Sequence, residues 1–256
     1  MFKSIDFKKY SSLNIGGIHK VKILNKIADY KDLYIIGRAN NLLISNTPPP
    51  LAILGEEFDY IIQKNGKLIV GAATTSGKLL TYCRKNDIAN FEFLAKLPGN
   101  MGGLVKMNAG LKQWEIFNYI DSIKTQNGVF LKKDIPHRYR YTDIKGIIFE
   151  ITFNIEKGFS QENQKLFIKM RENQPNLPSA GSCFKNPKDH SAGYLLEQVG
   201  LKGYIIGGIS FSSQHANFLV NLGGGTFDEA IELIKLAQQK VKKQFNIELE
   251  LEVIIL

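Results

Sequence analysis

Two prolines and a glycine fix the backbone around one hydroxyl, Ser182. The residue sits in Ala180-Gly-Ser-Cys-Phe-Lys-Asn-Pro187, with Pro175 upstream and Lys185 and Asn186 just beyond it. Prolines fix φ and Gly181 admits a tight backbone path, so the segment holds one hydroxyl in one place. That construction suits a site that must present a single proton donor beside a flat reactive group. It equally suits an ordinary Gly/Ser turn leading into the helical pattern AGYLLEQVGLKG.

Three other segments have the composition of anion-binding loops. LPGNMGGLVKMNAG combines Pro98, Gly99, Gly102 and Gly103 with Asn108, Ala109 and Gly110, a run in which backbone N–H groups can approach a phosphate without side-chain obstruction. YIIGRANNLLIS follows an apolar run with Gly37, Arg38, Ala39, Asn40 and Asn41, and SLNIGG precedes it. Each alone also reads as a tight turn. None has the spacing of a dinucleotide-fold fingerprint or a P-loop.

The elements that must position these segments are mostly strands over the first 155 or so residues. Asn65-Gly66 and Asn127-Gly128 each separate two strand-like runs and predict type I′ hairpins. SGKLLTYCRKNDI reads as a short helix, and Pro48-Pro49-Pro50 as a stiff connection. Beyond Asn154 the pattern becomes mixed, with a charged helix that Pro175 is expected to end. Thr226 and Glu229 form a capping-box pattern before a helix whose apolar face is Ala230, Ile234, Ala237, Val241 and Phe245, and ELELEVIIL reads as a final strand.

Composition narrows the class. The chain has 256 residues, 44% hydrophobic and 22% charged, enough for two domains with a substantial core. The start lacks a signal-peptide core and no stretch has the length of a membrane span, so a cytoplasmic protein without membrane insertion is expected. Two cysteines, Cys83 and Cys183, and four scattered histidines predict neither a disulfide framework nor a metal site. The net charge of +9 is spread over short Lys/Arg pairs, so nucleic-acid binding is not expected, although an anionic nucleotide ligand would be attracted.

Taken in order, SLNIGG, GRANNLLIS, LPGNMGGLVKMNAG, RYRYTDIKG, QPNLPSAGSCFKNP, AGYLLEQVGLKG, SSQHANFLVN and LELEV resemble the motif series of the UDP-N-acetylenolpyruvoylglucosamine reductase (MurB) family over nearly the whole chain. The resemblance implies an α+β fold: an FAD-binding portion of the vanillyl-alcohol-oxidase type over 1–155, in lobes of about 1–50 and 51–155, then a MurB-type α/β substrate domain over 156–256. It implies non-covalent FAD, NADPH as hydride donor, and reduction of the enolpyruvyl ether of a UDP-sugar, UDP-N-acetylglucosamine enolpyruvate. A monomer is expected.

The same resemblance assigns Ser182 as proton donor and places Arg140 and Glu252 beside the enolpyruvyl group. Hydride addition to the terminal alkene carbon leaves enolate-like charge next to a carboxylate, which a guanidinium can hold while a hydroxyl protonates the other carbon. Without the resemblance, Arg140 reads as part of a solvated basic cluster with Arg138 and Lys145, and Glu252 shares an alternating face with Glu248 and Glu250. Tyr139, Lys185, Asn186, Lys202 and Asn217 are the candidates for the UDP-sugar.

Two departures from the family pattern stand out. The usual glycines and serine of the second flavin loop are Gly37-Arg38-Ala39-Asn40 here, and the segment around the arginine is Tyr139-Arg140-Tyr141-Thr142. No tyrosine lies between Tyr141 and Tyr194, so the chain resembles the shorter subtype without a tyrosine-bearing loop. Two other readings are a flavin oxidase of the same fold and a flavin-free basic nucleotide-binding module.

Overall fold

The computed structural model describes residues 1–256. They form an α+β fold in two compact units that do not follow chain order: Met1–Lys3, Val21–Gly37 and Pro50–Glu172 in one, and Ser4–Lys20, Arg38–Pro49 and Asn173–Leu256 in the other. The early segments supply apolar residues to the core of the second unit. Leu13, Ile15 and Leu43 are buried with Leu195, Leu196, Phe211 and Leu233.

The first unit is built on a five-stranded antiparallel sheet in the order Gly128–Leu131, Ile120–Thr125, Ile148–Asn154, Lys67–Gly71, Ile61–Lys64. The Asn65-Gly66 hairpin closes as its residues dictate, with φ of 51° and 71°. The other hairpin differs from expectation. Thr125 pairs with Gly128, so the loop residues are Gln126 and Asn127, neither with positive φ, and Gly128 takes φ 122° at the strand start. Asn127 N–H donates to Thr125 Oγ1 at 3.1 Å, a local bond that sets this turn in place of type I′.

In the same unit Thr75 caps the helix Ser76–Lys85, accepting from Lys78 N–H at 3.2 Å, and Leu79 and Cys83 fix its buried face. The charged helix runs Gln161–Met170, capped by Ser160. It ends at Arg171, ahead of Pro175, because the backbone N–H of Arg171 turns to the carbonyls of Ile168 and Lys169 in a last tightened turn.

The second unit packs helices against an antiparallel sheet in the order Ser179–Ser182, Phe218–Asn221, Ile209–Phe211, Ile205–Ile206. The Thr226–Glu229 capping box is formed in both directions and starts the helix Phe227–Phe245. Ala230, Leu233, Ile234, Ala237 and Val241 are buried along it, each large aliphatic side chain contributing roughly 1.5–3 kcal/mol. The C-terminal segment is a strand only at Ile254–Ile255, parallel to Leu42–Leu43. Before it the chain bends, because Cys183 O takes the N–H groups of both Glu252 (2.9 Å) and Val253 (3.2 Å).

No helix is long and apolar enough to cross a membrane. Cys83 and Cys183 are both free and buried, and no group of three or more His, Cys, Asp or Glu side chains is placed to hold a metal ion.

Candidate functional site

Ser182 ends a bulged strand rather than lying in a simple turn. Ser179 pairs with Val220 and Ser182 with Phe218, so three steps on one strand face two on the other, and Gly181 takes up the difference at φ 79°. A bulge of this kind bends the strand and re-aims a side chain. The polar bonds around it leave the serine hydroxyl out. Ser179 Oγ donates to Leu219 O (2.8 Å), Asn217 Oδ1 accepts from Phe184 N–H (3.0 Å), and Asn217 Nδ2 donates to Phe184 O (2.8 Å). Ser182 is half-buried.

The same unit brings Glu252 beside this strand. Glu252 N–H donates to Cys183 O, Lys185 N–H donates to Glu250 O at 2.8 Å, and Phe184 bridges Leu251. Asn41 joins in, its Nδ2 donating to Glu252 O at 2.8 Å. Burial, with the Glu252 charge second, drives the Cys183 thiol far up in pKa, so that sulfur is no nucleophile at neutral pH.

The sugar candidates of this unit already have partners. Lys185 pairs with Glu250, Lys202 with Glu197, and Asn186 Oδ1 accepts from Ala192 N–H at 3.0 Å. Asn217 is buried with both ends of its amide on Phe184, so what it does here is hold the serine strand. His215 accepts from Asn217 N–H through Nδ1, and burial lowers its pKa.

In the first unit, Arg140 is in the loop of a two-residue hairpin in which Arg138 pairs with Tyr141. Its φ of 52° is left-handed, an uncommon state for a non-glycine residue. Arg140 Nη2 donates to Gly110 O at 3.3 Å and its guanidinium lies 4.9 Å from the centre of the Tyr139 ring. Asn108, fully buried, supports the hairpin by donating from Nδ2 to Arg138 O (3.2 Å) and Glu115 Oε2 (2.8 Å). A Cβ on Gly110 would stand 2.1 Å from Trp114 O, so close backbone packing requires that glycine. The end of the MNAG run thus holds the arginine in position.

The front of the run is different. Pro98, Gly99 and Asn100 lead into the short helix Met101–Lys106. Met101 and Gly102 donate to Thr74 O and Ala72 O, whereas Gly103 is exposed with nothing within 4 Å of where a Cβ would stand. Asn100 Oδ1 is buried without a partner, as is Asn40 Oδ1 in the second unit. Within the first unit, the orphaned Asn100 acceptor and the open Gly103 backbone fit a ligand carrying N–H or O–H donors and phosphate, as FAD does. Gly37 lies against Asn100, with 3.6 Å between a Cβ there and Asn100 Cβ. Arg38 is exposed, and Ala39 is buried at φ 49°, a left-handed position that glycine would fill at less strain.

The sequence pattern does not single out Asn100 or Arg171. Asn100 is a lone amide in the glycine-rich run LPGNMGG, where it reads as a turn residue. Arg171 ends a charged helix and looks like one more solvated cation, yet it is buried and its Nη1 has no partner.

Comparison with known proteins gives the class first. A solved MurB structure from Thermus caldophilus superposes with a TM-score of 0.87 at 27% identity, covering 100% of this chain and 98% of that one, so the fold is the α+β MurB fold. Residues 173–256 match the family model described as UDP-N-acetylenolpyruvoylglucosamine reductase, C-terminal domain, the stretch that begins where the last segment of the second unit begins. The UDP-N-acetylenolpyruvoylglucosamine reductase of Helicobacter pylori strain 26695 is 44% identical over 99% of this chain and 98% of its own length. That of Campylobacter jejuni strain RM1221 is 43% identical over 98% and 99%. The chain belongs to the UDP-N-acetylenolpyruvoylglucosamine reductase family.

Proposed function

We propose that this chain reduces UDP-N-acetylglucosamine enolpyruvate to UDP-N-acetylmuramate for peptidoglycan synthesis, in the cytoplasm, as a monomer using NADPH and non-covalent FAD. The observation that carries the reading is Ser182 at the end of the bulged strand, a half-buried hydroxyl that none of the side-chain bonds holding the strand uses. FAD, held by the loop residues assigned below, would supply the hydride chemistry between NADPH and the enolpyruvyl group.

This chain's residues do the rest. Arg140 binds the substrate carboxylate and stabilises the negative charge that grows into it. Ser182 Oγ gives its proton to the carbon that bears the carboxylate. Glu252, fixed by its backbone to the residue after Ser182, orients the enolpyruvyl group or takes part in that proton transfer. Tyr139, Lys185, Asn186 and Lys202 hold the UDP-sugar, with the two lysines exchanging Glu250 and Glu197 for ligand oxygens, and Asn217 acts through the serine strand. We assign FAD to residues 1–155, through Gly37, Arg38, Ala39, Asn40, Asn41, Pro98, Gly99, Asn100, Gly102 and Gly103 and the backbone of Asn108, Ala109 and Gly110, and the sugar to 156–256 with Tyr139 and Arg140 added from the earlier stretch.

The test is anaerobic. The purified protein should carry flavin absorbance that NADPH bleaches and the enolpyruvyl UDP-sugar restores. Reoxidation by air alone, with no response to the UDP-sugar, would make the chain a flavin oxidase, and a colourless protein that cannot take up FAD would end the reading.

A further inference from the structure

Two Asn-Gly pairs sit in hairpins at the two edges of the five-stranded sheet, and the proposed reaction uses neither. Such a pair is open to attack by the glycine nitrogen on the side-chain amide before it, because glycine puts no Cβ in the way. The sequence presents both pairs alike, but the fold separates them. Gly128 opens its strand and pairs with Thr125, so its N–H belongs to the ladder, since the pair that closes a two-residue antiparallel loop exchanges backbone hydrogen bonds. Asn127 N–H donates to Thr125 Oγ1 at 3.1 Å, and Gln126 Oε1 accepts from Ile147 N–H at 2.8 Å, which ties that loop down at both of its residues. At the other hairpin the ladder stops at Lys64 and Lys67. Asn65 and Gly66 are both exposed, and no atom lies within 4 Å of where a Cβ on Gly66 would stand.

We propose that Asn65 is a site of spontaneous covalent modification, deamidation through a cyclic imide, and that the fold protects Asn127 from the same reaction. The Gly66 nitrogen gives up its proton to hydroxide and bonds to Asn65 Cγ. The Cγ–Nδ2 bond breaks, and Nδ2 leaves as ammonia after taking a proton from water. A second water opens the imide at either carbonyl, leaving aspartate at position 65 or, with the chain rerouted through the side chain, isoaspartate. No atom changes oxidation state. Lys64 and Lys67, which flank the pair, favour both the loss of the amide proton and the carboxylate that the reaction leaves. Isoaspartate lengthens a turn whose two residues must hold positive φ, so the edge strand Ile61–Lys64 loosens at that end. The turn contains none of the residues assigned to flavin or sugar, and the modification marks the age of a chain without removing its chemistry.

The purified full-length chain tests this. It is held in warm, mildly alkaline buffer, digested at acid pH at intervals, and both peptides are followed by mass spectrometry, which reads the exchange of NH2 for OH at each site. In the folded protein, conversion at Asn65 should run about tenfold or more ahead of Asn127, the scale of opening one or two backbone hydrogen bonds before reaction. In guanidinium chloride, where neither loop is held, the two rates should agree within about threefold. Equal rates in the folded protein, a faster Asn127, or an Asn65 that stays intact while the unfolded chain converts overturns the proposal. So does a gap between the sites that persists in denaturant, since the difference would then belong to the sequence and not to the fold.

Discussion

Glu252 N–H donates to Cys183 O at 2.9 Å, which fixes the backbone of one proposed active residue a single position from Ser182. The bond does not depend on the state of the Glu252 side chain. The serine strand, held on one side by Asn217 and on the other by the C-terminal segment, is therefore built before any ligand arrives.

Asn217 gives the first prediction. Its amide satisfies both backbone groups of Phe184, and Asn217→Ala would leave a buried donor and a buried acceptor unpaired. The expected loss is about 2–4 kcal/mol of unfolding free energy. Asn217→Asp keeps the acceptor but not the donor and should also destabilise. Chemical denaturation checks both, and an alanine variant as stable as wild type would show that the clamp is dispensable.

Gly102 and Gly103 are neighbours with opposite expectations. A Cβ on Gly102 would come within 3.0 Å of Ala72 Cβ and 3.2 Å of Ala72 O, so Gly102→Ala should push the helix start away and lower stability. At Gly103 the space is open and alanine is the better helix former, so Gly103→Ala should raise flavin-free stability by up to about 1 kcal/mol. If FAD phosphate lies against this backbone, the same methyl should weaken FAD binding at least tenfold. Denaturation and FAD titration of the flavin-free protein separate the two effects, and unchanged affinity in Gly103→Ala would remove the phosphate from this loop.

The capping box predicts a pH dependence. Backbone N–H groups of Thr226 and Gly208, in that order of effect, hold the Glu229 carboxyl below its ordinary pKa. A carboxylate with a lowered folded-state pKa adds stability above its unfolded pKa and loses it as pH falls through the folded one. The stability difference between wild type and Glu229→Gln should be constant near neutrality and shrink below the usual carboxylate range. A difference that grows on acidification would mean the box is not held by the ionised form.

Local patterns were legible in the sequence where neighbours in the chain decide the outcome. The Thr226–Glu229 box, the Asn65-Gly66 turn and the short helix Ser76–Lys85 formed as their residues dictate. Ser182 stood out for its rigid setting, but the device that isolates it did not, because a bulge exists only against a partner strand and that partner is Phe218–Asn221. Asn217 and Asn108 looked like ligand groups, yet the backbone atoms they serve lie 33 and 30 residues away in the chain. Burial of Arg171 is equally a tertiary fact, since a polar helix end does not reveal which cation it covers.

Ser182 itself allows the sharpest division of the proposed reaction. Its hydroxyl has no part in flavin reduction by NADPH and is needed when the substrate carbon takes up a proton. Ser182→Ala should therefore bleach at a near-normal rate after rapid anaerobic mixing with NADPH, then reoxidise with the enolpyruvyl UDP-sugar on the order of a hundredfold or more slowly, the scale of a lost general acid. Ser182→Cys keeps an ionisable proton and should recover part of the loss. Arg140→Lys should also slow reoxidation more than bleaching, because an ammonium cannot reproduce the guanidinium's two-point hold on a carboxylate. The fold should tolerate the alanine, since none of the bonds that hold the strand uses the serine hydroxyl. Equal slowing of both half-reactions, or of neither, would make Ser182 a structural strand residue and move the proton to Glu252 or to water.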